Sequence, residues 1–138
     1  VLRLVGSEMC IRDSSKSVHT VSRLKEVEKI DLLYKNHEIF VQINIDNDPK
    51  KSGINPNEVQ KFFEKFENYS FFPNGIMCIP DINSDPRESF KNMNDINQKL
   101  LDNYKQYSGE LSMGMSADYK IALDYGATII RVGSKIFK

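Results

Sequence analysis

The sequence is poor in the residues that build metal centres and disulfide frameworks. It has two cysteines, Cys10 and Cys78, and two histidines, His19 and His37. None stands at metal-ligand spacing, which argues against a metal site, and two distant cysteines make no disulfide scaffold. A reducing cytosol is the compartment this composition implies. Excess charge is also lacking, with 19 basic residues against 19 acidic ones. A neutral chain lacks the broad basic face that nucleic-acid binding usually requires, which argues against DNA or RNA as the main partner. No apolar run approaches the roughly 18 residues that a membrane-spanning helix needs, so no membrane partner is expected. What is present, 40% hydrophobic and 28% charged residues in a chain of 138, suits one domain with a filled core and a charged surface.

The first fourteen residues, VLRLVGSEMCIRDS, stand apart. They show no clean period of 2 or 3.6 and end without a cap. The run resembles a translated adaptor segment of the kind found at the ends of sequences assembled from reads. A targeting peptide is the rival reading, but Glu8 and Asp13 count against it, because transit peptides are poor in acids. Residues 1–14 are therefore expected to be a non-native leader and residues 15–138 the domain proper. Setting the leader aside leaves 17 bases and 17 acids, so the balance holds.

From Ser15 onward, short β-rich runs alternate with helical ones. Ser17 to Val21 is extended. Arg23 to Leu33 places Leu24, Val27, Ile30 and Leu33 at helical spacing. Ile39 to Ile45 is a strand of strong β-formers. Pro56 opens a helix to about Phe66, at the position where a missing N–H costs nothing. Gly75 to Ile79 is an apolar strand, and a helix is expected from about Arg87 to Tyr107. Glu110 to Met113 is the next strand. A short helix from Ala117 to Tyr125 follows, with Gly126 as its left-handed cap. Thr128 to Val132 is the last strand. Such alternation means parallel strands joined by helical crossovers. Five strands fit an open doubly wound sheet or five-eighths of a barrel, and the pattern does not choose between them.

Two segments carry candidate chemistry. In Leu111-Ser112-Met113-Gly114-Met115-Ser116 a strand runs into a helix. Gly114 permits a tight turn, and Ser116 stands where a helix N-cap belongs, next to free N–H groups suited to a phosphate. Ser116 could equally just cap its own helix. In Arg131-Val132-Gly133-Ser134, Gly133 would admit a phosphate oxygen to the main chain and Ser134 would add a hydroxyl. Arg131 is a charge between Ile130 and Val132 and needs a partner, most simply in a salt bridge at the strand end. Barrels of this class often bind phosphate on the loops after their last two strands, so the two segments say more together than either says alone.

The run LSMGMSADYKIALDYGATIIRVGSKIF is similar to the C-terminal signature of the pyridoxal phosphate homeostasis proteins. These are pyridoxal 5'-phosphate (PLP)-binding barrels related to the barrel domain of alanine racemase. Upstream, Lys51-Ser52-Gly53-Ile54 within VQINIDNDPKKSGINPNEV, Gly75-Ile76-Met77-Cys78-Ile79-Pro80 and SVHTVSRLKEVEKI resemble further segments of the family. The likeness spans roughly residues 17 to 137. It implies an α/β fold, a partial (β/α)8 TIM-type barrel made of strands 4 to 8 of a fold-type III PLP-binding barrel. It also implies PLP as ligand and a non-catalytic role in intracellular PLP homeostasis.

By the same resemblance, Ser116, Gly133 and Ser134 hold the cofactor's phosphate, with Gly114 and Met115 shaping the loop. Ser134 stands where the family usually has Thr. Arg131 faces the pyridine nitrogen. A guanidinium is always charged and accepts no hydrogen bond, so it leaves that nitrogen unprotonated and weakens the ring as an electron sink. The Schiff-base lysine of the family lies in a half of the barrel that this sequence does not show. Lys16 has the wrong context, and Lys51 reads first as a solvated loop lysine. An amino-acid racemase and a barrel for another phosphorylated ligand are the alternatives. An open part-barrel leaves unpaired strand edges and an uncovered interior, so this chain is expected to self-associate, and its parent to be a monomer. Met77, Met113 and Met115 read as packing or pocket lining and Cys78 as a small buried hydrophobe. His19 reads as a packed histidine, and Tyr104, Tyr107, Tyr119 and Tyr125 as half-buried helical residues.

Overall fold

The computed structural model describes residues 3–5, 17–33 and 38–132. Its strands are β1 (Arg3–Val5), β2 (Ser17–Val21), β3 (Glu38–Gln42), β4 (Gly75–Met77), β5 (Glu110–Met115) and β6 (Ile129–Arg131). Its helices are α1 (Leu24–Leu33), α2 (Val59–Glu64), α3 (Pro86–Asn103) and α4 (Tyr119–Asp124). The described strands form one sheet in the order β1-β6-β5-β4-β3-β2, and every pair is parallel. From β2 to β6 each strand is followed in space by the next in sequence, with a helical crossover between. This is the winding of a β/α barrel, and the chain forms an arc of one.

Pleating divides the core into two layers. Ile39, Val41, Ile76, Cys78, Leu111, Met113, Ile130 and Val132 share a buried cluster with helix residues such as Val27, Phe63, Phe90 and Met93. Phe40, Met77 and Ile129 form a second cluster on the opposite face, the side of the barrel interior. These three are 0%, 0% and 1% exposed, so the interior is not open at this level as the sequence suggested. Gly75 makes this possible. A Cβ there would come within 2.6 Å of Phe40 Cε1 and 2.2 Å of the Glu110 carbonyl oxygen, so only glycine lets the ring lie across β4.

The helices start where their chemistry allows. Asp85 caps α3 by accepting the Arg87 N–H at 3.0 Å, with Pro86 at the first helical position and Glu88 in the first turn. The sequence suggested that α3 runs on to Tyr107, but it ends at Asn103. Tyr104 and Tyr107 are not half-buried helical residues; they are buried at 6% and 4% in the turn beyond. The Tyr107 hydroxyl donates to Asn97 Oδ1 at 2.6 Å, and Asn97 Nδ2 donates to the Gly109 carbonyl at 2.9 Å. This buried pair closes the turn that leads into β5, which apolar periodicity alone does not reveal.

No element was expected in the leader, yet Arg3–Val5 pairs with β6 in parallel register. A strand edge presents unpaired N–H and C=O groups, and a short apolar segment satisfies them with little demand on side-chain identity.

Candidate functional site

The carboxyl ends of β5 and β6 meet in one place. Met115 and Arg131 are register partners, with an irregularity between Ser112 and Met115 that shifts the pairing. Gly114 lies in this stretch at φ +103, a conformation that side chains rarely adopt. A Cβ on Gly114 would sit 2.7 Å from Ala122 Cβ, so glycine also lets α4 pack close against the strand. The chain then turns through residues 116–118 into α4.

Arg131 lies two residues beyond Ile129 and so on the same interior face. It is 4% exposed. Its Nη2 donates to the Cys78 carbonyl at 2.8 Å and its Nη1 to Ser112 Oγ at 3.4 Å, while its Nε is buried with no hydrogen-bond partner. The expected salt bridge is absent among the described residues; acceptors just beyond β4 and on β5 hold the guanidinium instead. Burial pulls its pKa below the usual arginine range, with Cys78 and Asp118 acting the other way. Burial pushes the neighbouring Cys78 thiol up to about 12, so this cysteine is the inert buried hydrophobe its strand position suggested.

The structure corrects the place of Ser116. The N-cap of α4 is Asp118, two residues later, and Ser116 lies in the preceding turn. Asp118 makes no cap bond; its Oδ1 instead accepts the Met115 N–H at 2.7 Å. The local pattern missed it because a serine after a glycine looks like a cap whether the helix begins at once or a turn later. Ser112 is a second residue that sequence reasoning missed. Its signal was alternation, since it shares strand phase with Gly114 and is the register neighbour of Ile129. Met115 is 44% exposed at the rim, whereas Met77 and Met113 are fully buried. Gly133, Ser134, Lys16 and the side chain of His19 lie outside the described residues.

Lys51 is a loop lysine with its side chain 31% exposed, but it is tied down. Its Nζ pairs with Asp46 Oδ2 at 3.1 Å and donates to the Ile79 carbonyl at 3.3 Å. Asp46 also accepts the Asp81 N–H at 2.6 Å and the Ser89 hydroxyl at 3.2 Å. One carboxylate thus fastens the loop after β3 to the loop after β4 and to α3.

A buried, cationic donor with one unused N–H, beside a glycine-shaped turn at the strand ends, can hold a polar ring and an attached anion. The family description "Alanine racemase, N-terminal domain" matches residues 7–138. The chain belongs to this family. The pyridoxal phosphate homeostasis protein of Vibrio cholerae is 35% identical over 135 residues, covering 87% of this chain and 54% of that protein. PipY of Synechococcus elongatus, in a structure without PLP, is 25% identical with a TM-score of 0.81, covering 89% of this chain and 61% of that one. A second structure of PipY has PLP bound and matches with a TM-score of 0.78 at 23% identity, over 89% of this chain and 61% of that one. The chain spans about half the length of the curated relatives it matches. Among the described residues no helix is long and apolar enough to cross a membrane.

Proposed function

We propose that this barrel arc supplies the phosphate and ring-nitrogen side of a PLP site and that the protein works in intracellular, cytosolic PLP homeostasis rather than in catalysis. The observation that carries the reading is Arg131, a buried guanidinium with an unpartnered Nε on the interior face. A buried donor without an acceptor is costly, and an unprotonated pyridine nitrogen is an acceptor of the right kind. Ser116, Gly133 and Ser134 would hold the phosphate, and Gly114 and Met115 would shape the turn that receives it. Relatives named pyridoxal phosphate homeostasis protein and a PLP-bound structure of PipY support the choice of ligand.

Bound PLP supplies an aldehyde that condenses with amines and a ring that draws electrons, most strongly when its nitrogen is protonated. Arg131 would donate to that nitrogen and has no proton to lose near neutral pH. With Arg131 in that place the ring would stay unprotonated and draw electrons weakly. The residues at these strand ends would bind and orient the ring. That arrangement fits a carrier, and racemases of this family resemble it at the ring nitrogen.

Titrating PLP into the full chain while recording its absorbance tests the reading. A saturable band shift is expected, with affinity falling about tenfold or more in Arg131→Met. No shift, or the same shift in the variant, would overturn it.

A further inference from the structure

We propose that Ser112 is the positioning residue of the Arg131 site. Its hydroxyl fixes the plane of the guanidinium so that Nε points at the ring, and in this way it sets a preference for a ring with an acceptor nitrogen. The inference rests on the cofactor reading and deepens it.

Packing alone does not call for a serine at this position. Ser112 is fully buried. Its register neighbours are Met77 on β4 and Ile129 on β6, both members of the apolar interior cluster. A hydroxyl in such a row is costly unless it is hydrogen-bonded, and alanine or valine would carry no such cost. The Ser112 Oγ accepts from Arg131 Nη1 at 3.4 Å.

The shape of the guanidinium gives that contact its effect. The group is planar and presents its N–H donors in a rigid fork. Held at Nη2 alone, by the Cys78 carbonyl at 2.8 Å, it could pivot about that one bond. A second contact at Nη1 stops the pivot and fixes where Nε points. At 3.4 Å this contact supplies more direction than strength. The two acceptors are also fixed to each other, because the Cys78 N–H donates to the Ser112 carbonyl at 3.2 Å. Nε is the guanidinium nitrogen left without a partner. Its direction matters, since a hydrogen bond weakens steeply as its angle closes towards about 120°. An Nε aimed at the ring nitrogen rewards a ring that has one, and an Nε free to swing away does not.

The test compares the binding of PLP and of 1-deaza-PLP, which carries C–H in place of the ring nitrogen and keeps the phosphate, to the full chain by calorimetric titration. The unaltered chain is expected to bind PLP about tenfold or more tightly than 1-deaza-PLP. In Ser112→Ala that preference should shrink to roughly threefold or less, through weaker PLP binding at an unchanged affinity for 1-deaza-PLP. Ser112→Thr keeps a hydroxyl and should restore the preference. A merely structural role for Ser112 would lower both affinities together and leave their ratio as it was. Circular dichroism checks that both variants keep their fold. An unchanged ratio in Ser112→Ala would overturn this inference and leave the cofactor reading standing. If the unaltered chain binds PLP no better than 1-deaza-PLP, the ring-nitrogen part of the cofactor reading falls, and this inference falls with it.

Discussion

Arg131 carries a fixed charge into an almost dry position, and such a charge persists only where hydrogen bonds replace water. Two N–H groups find the Cys78 carbonyl and the Ser112 hydroxyl, and the Nε finds nothing. The sequence made this residue conspicuous, because a charge between two β-branched residues of a strand is rare. It did not reveal the acceptors, which come from two other strands brought close by register. The neighbouring Cys78 gives a pH test. Its folded pKa of about 12 lies above the ordinary value of 9.0, so the folded state holds the thiol proton longer than the unfolded chain does. The stability this contributes is complete below pH 9 and is lost as pH rises towards 12. Urea unfolding between pH 8 and 10.5 should show a steeper alkaline decline in the native sequence than in Cys78→Ala; equal slopes would refute this. Two glycines are tested by adding a methyl group. Gly114→Ala combines a positive φ with a 2.7 Å clash and is expected to cost about 1–3 kcal/mol. Gly75→Ala meets backbone at 2.2 Å and is expected to cost roughly 3 kcal/mol, since the Glu110 carbonyl of β5 cannot step aside. Thermal unfolding of both variants checks these values.

At the scale of elements, alternation and apolar period located each strand and helix from Ser17 onward to within a few residues. β3 ends at Gln42 rather than Ile45, and two helix ends were misplaced for a shared reason. The end of α3 and the start of α4 are decided by polar side chains acting across the chain, Asn97 with Tyr107 in the first case and Asp118 with the Met115 amide in the second. Periodicity sees only the apolar face. Where the deciding residue is local the expectation came close: the helix expected from about Arg87 begins at Pro86, capped by Asp85. Asp85→Ala should lower stability by about 1 kcal/mol, read from chemical denaturation, with an unchanged denaturant slope. Asp46 acts between elements. Asp46→Ala removes the acceptor shared by Lys51, Asp81 and Ser89, and is expected to speed amide exchange in both the 46–55 and 79–85 loops together. Faster exchange in one loop alone would show that the carboxylate does not couple them.

For the whole molecule, the pattern left an open sheet and a barrel arc equally admissible. The order β6-β5-β4-β3-β2 and an interior face with its own buried cluster decide for the barrel. Half of the residues described at these strand ends, Gly114 and Arg131, were legible in the sequence, one as a glycine where a strand turns into a helix and the other as a charge inside an apolar strand. The other half, Ser112 and the Cys78 carbonyl, depends on which strands become neighbours. The central claim is that these strand ends hold a phosphorylated pyridine ring by both its phosphate and its nitrogen. Calorimetric titration of the chain with PLP and with pyridoxal, which lacks the phosphate, tests it most directly. PLP is expected to bind at least about tenfold more tightly than pyridoxal, and that preference should persist in Arg131→Met while both affinities fall. Equal affinity for the two compounds, or no binding of PLP, would contradict the account.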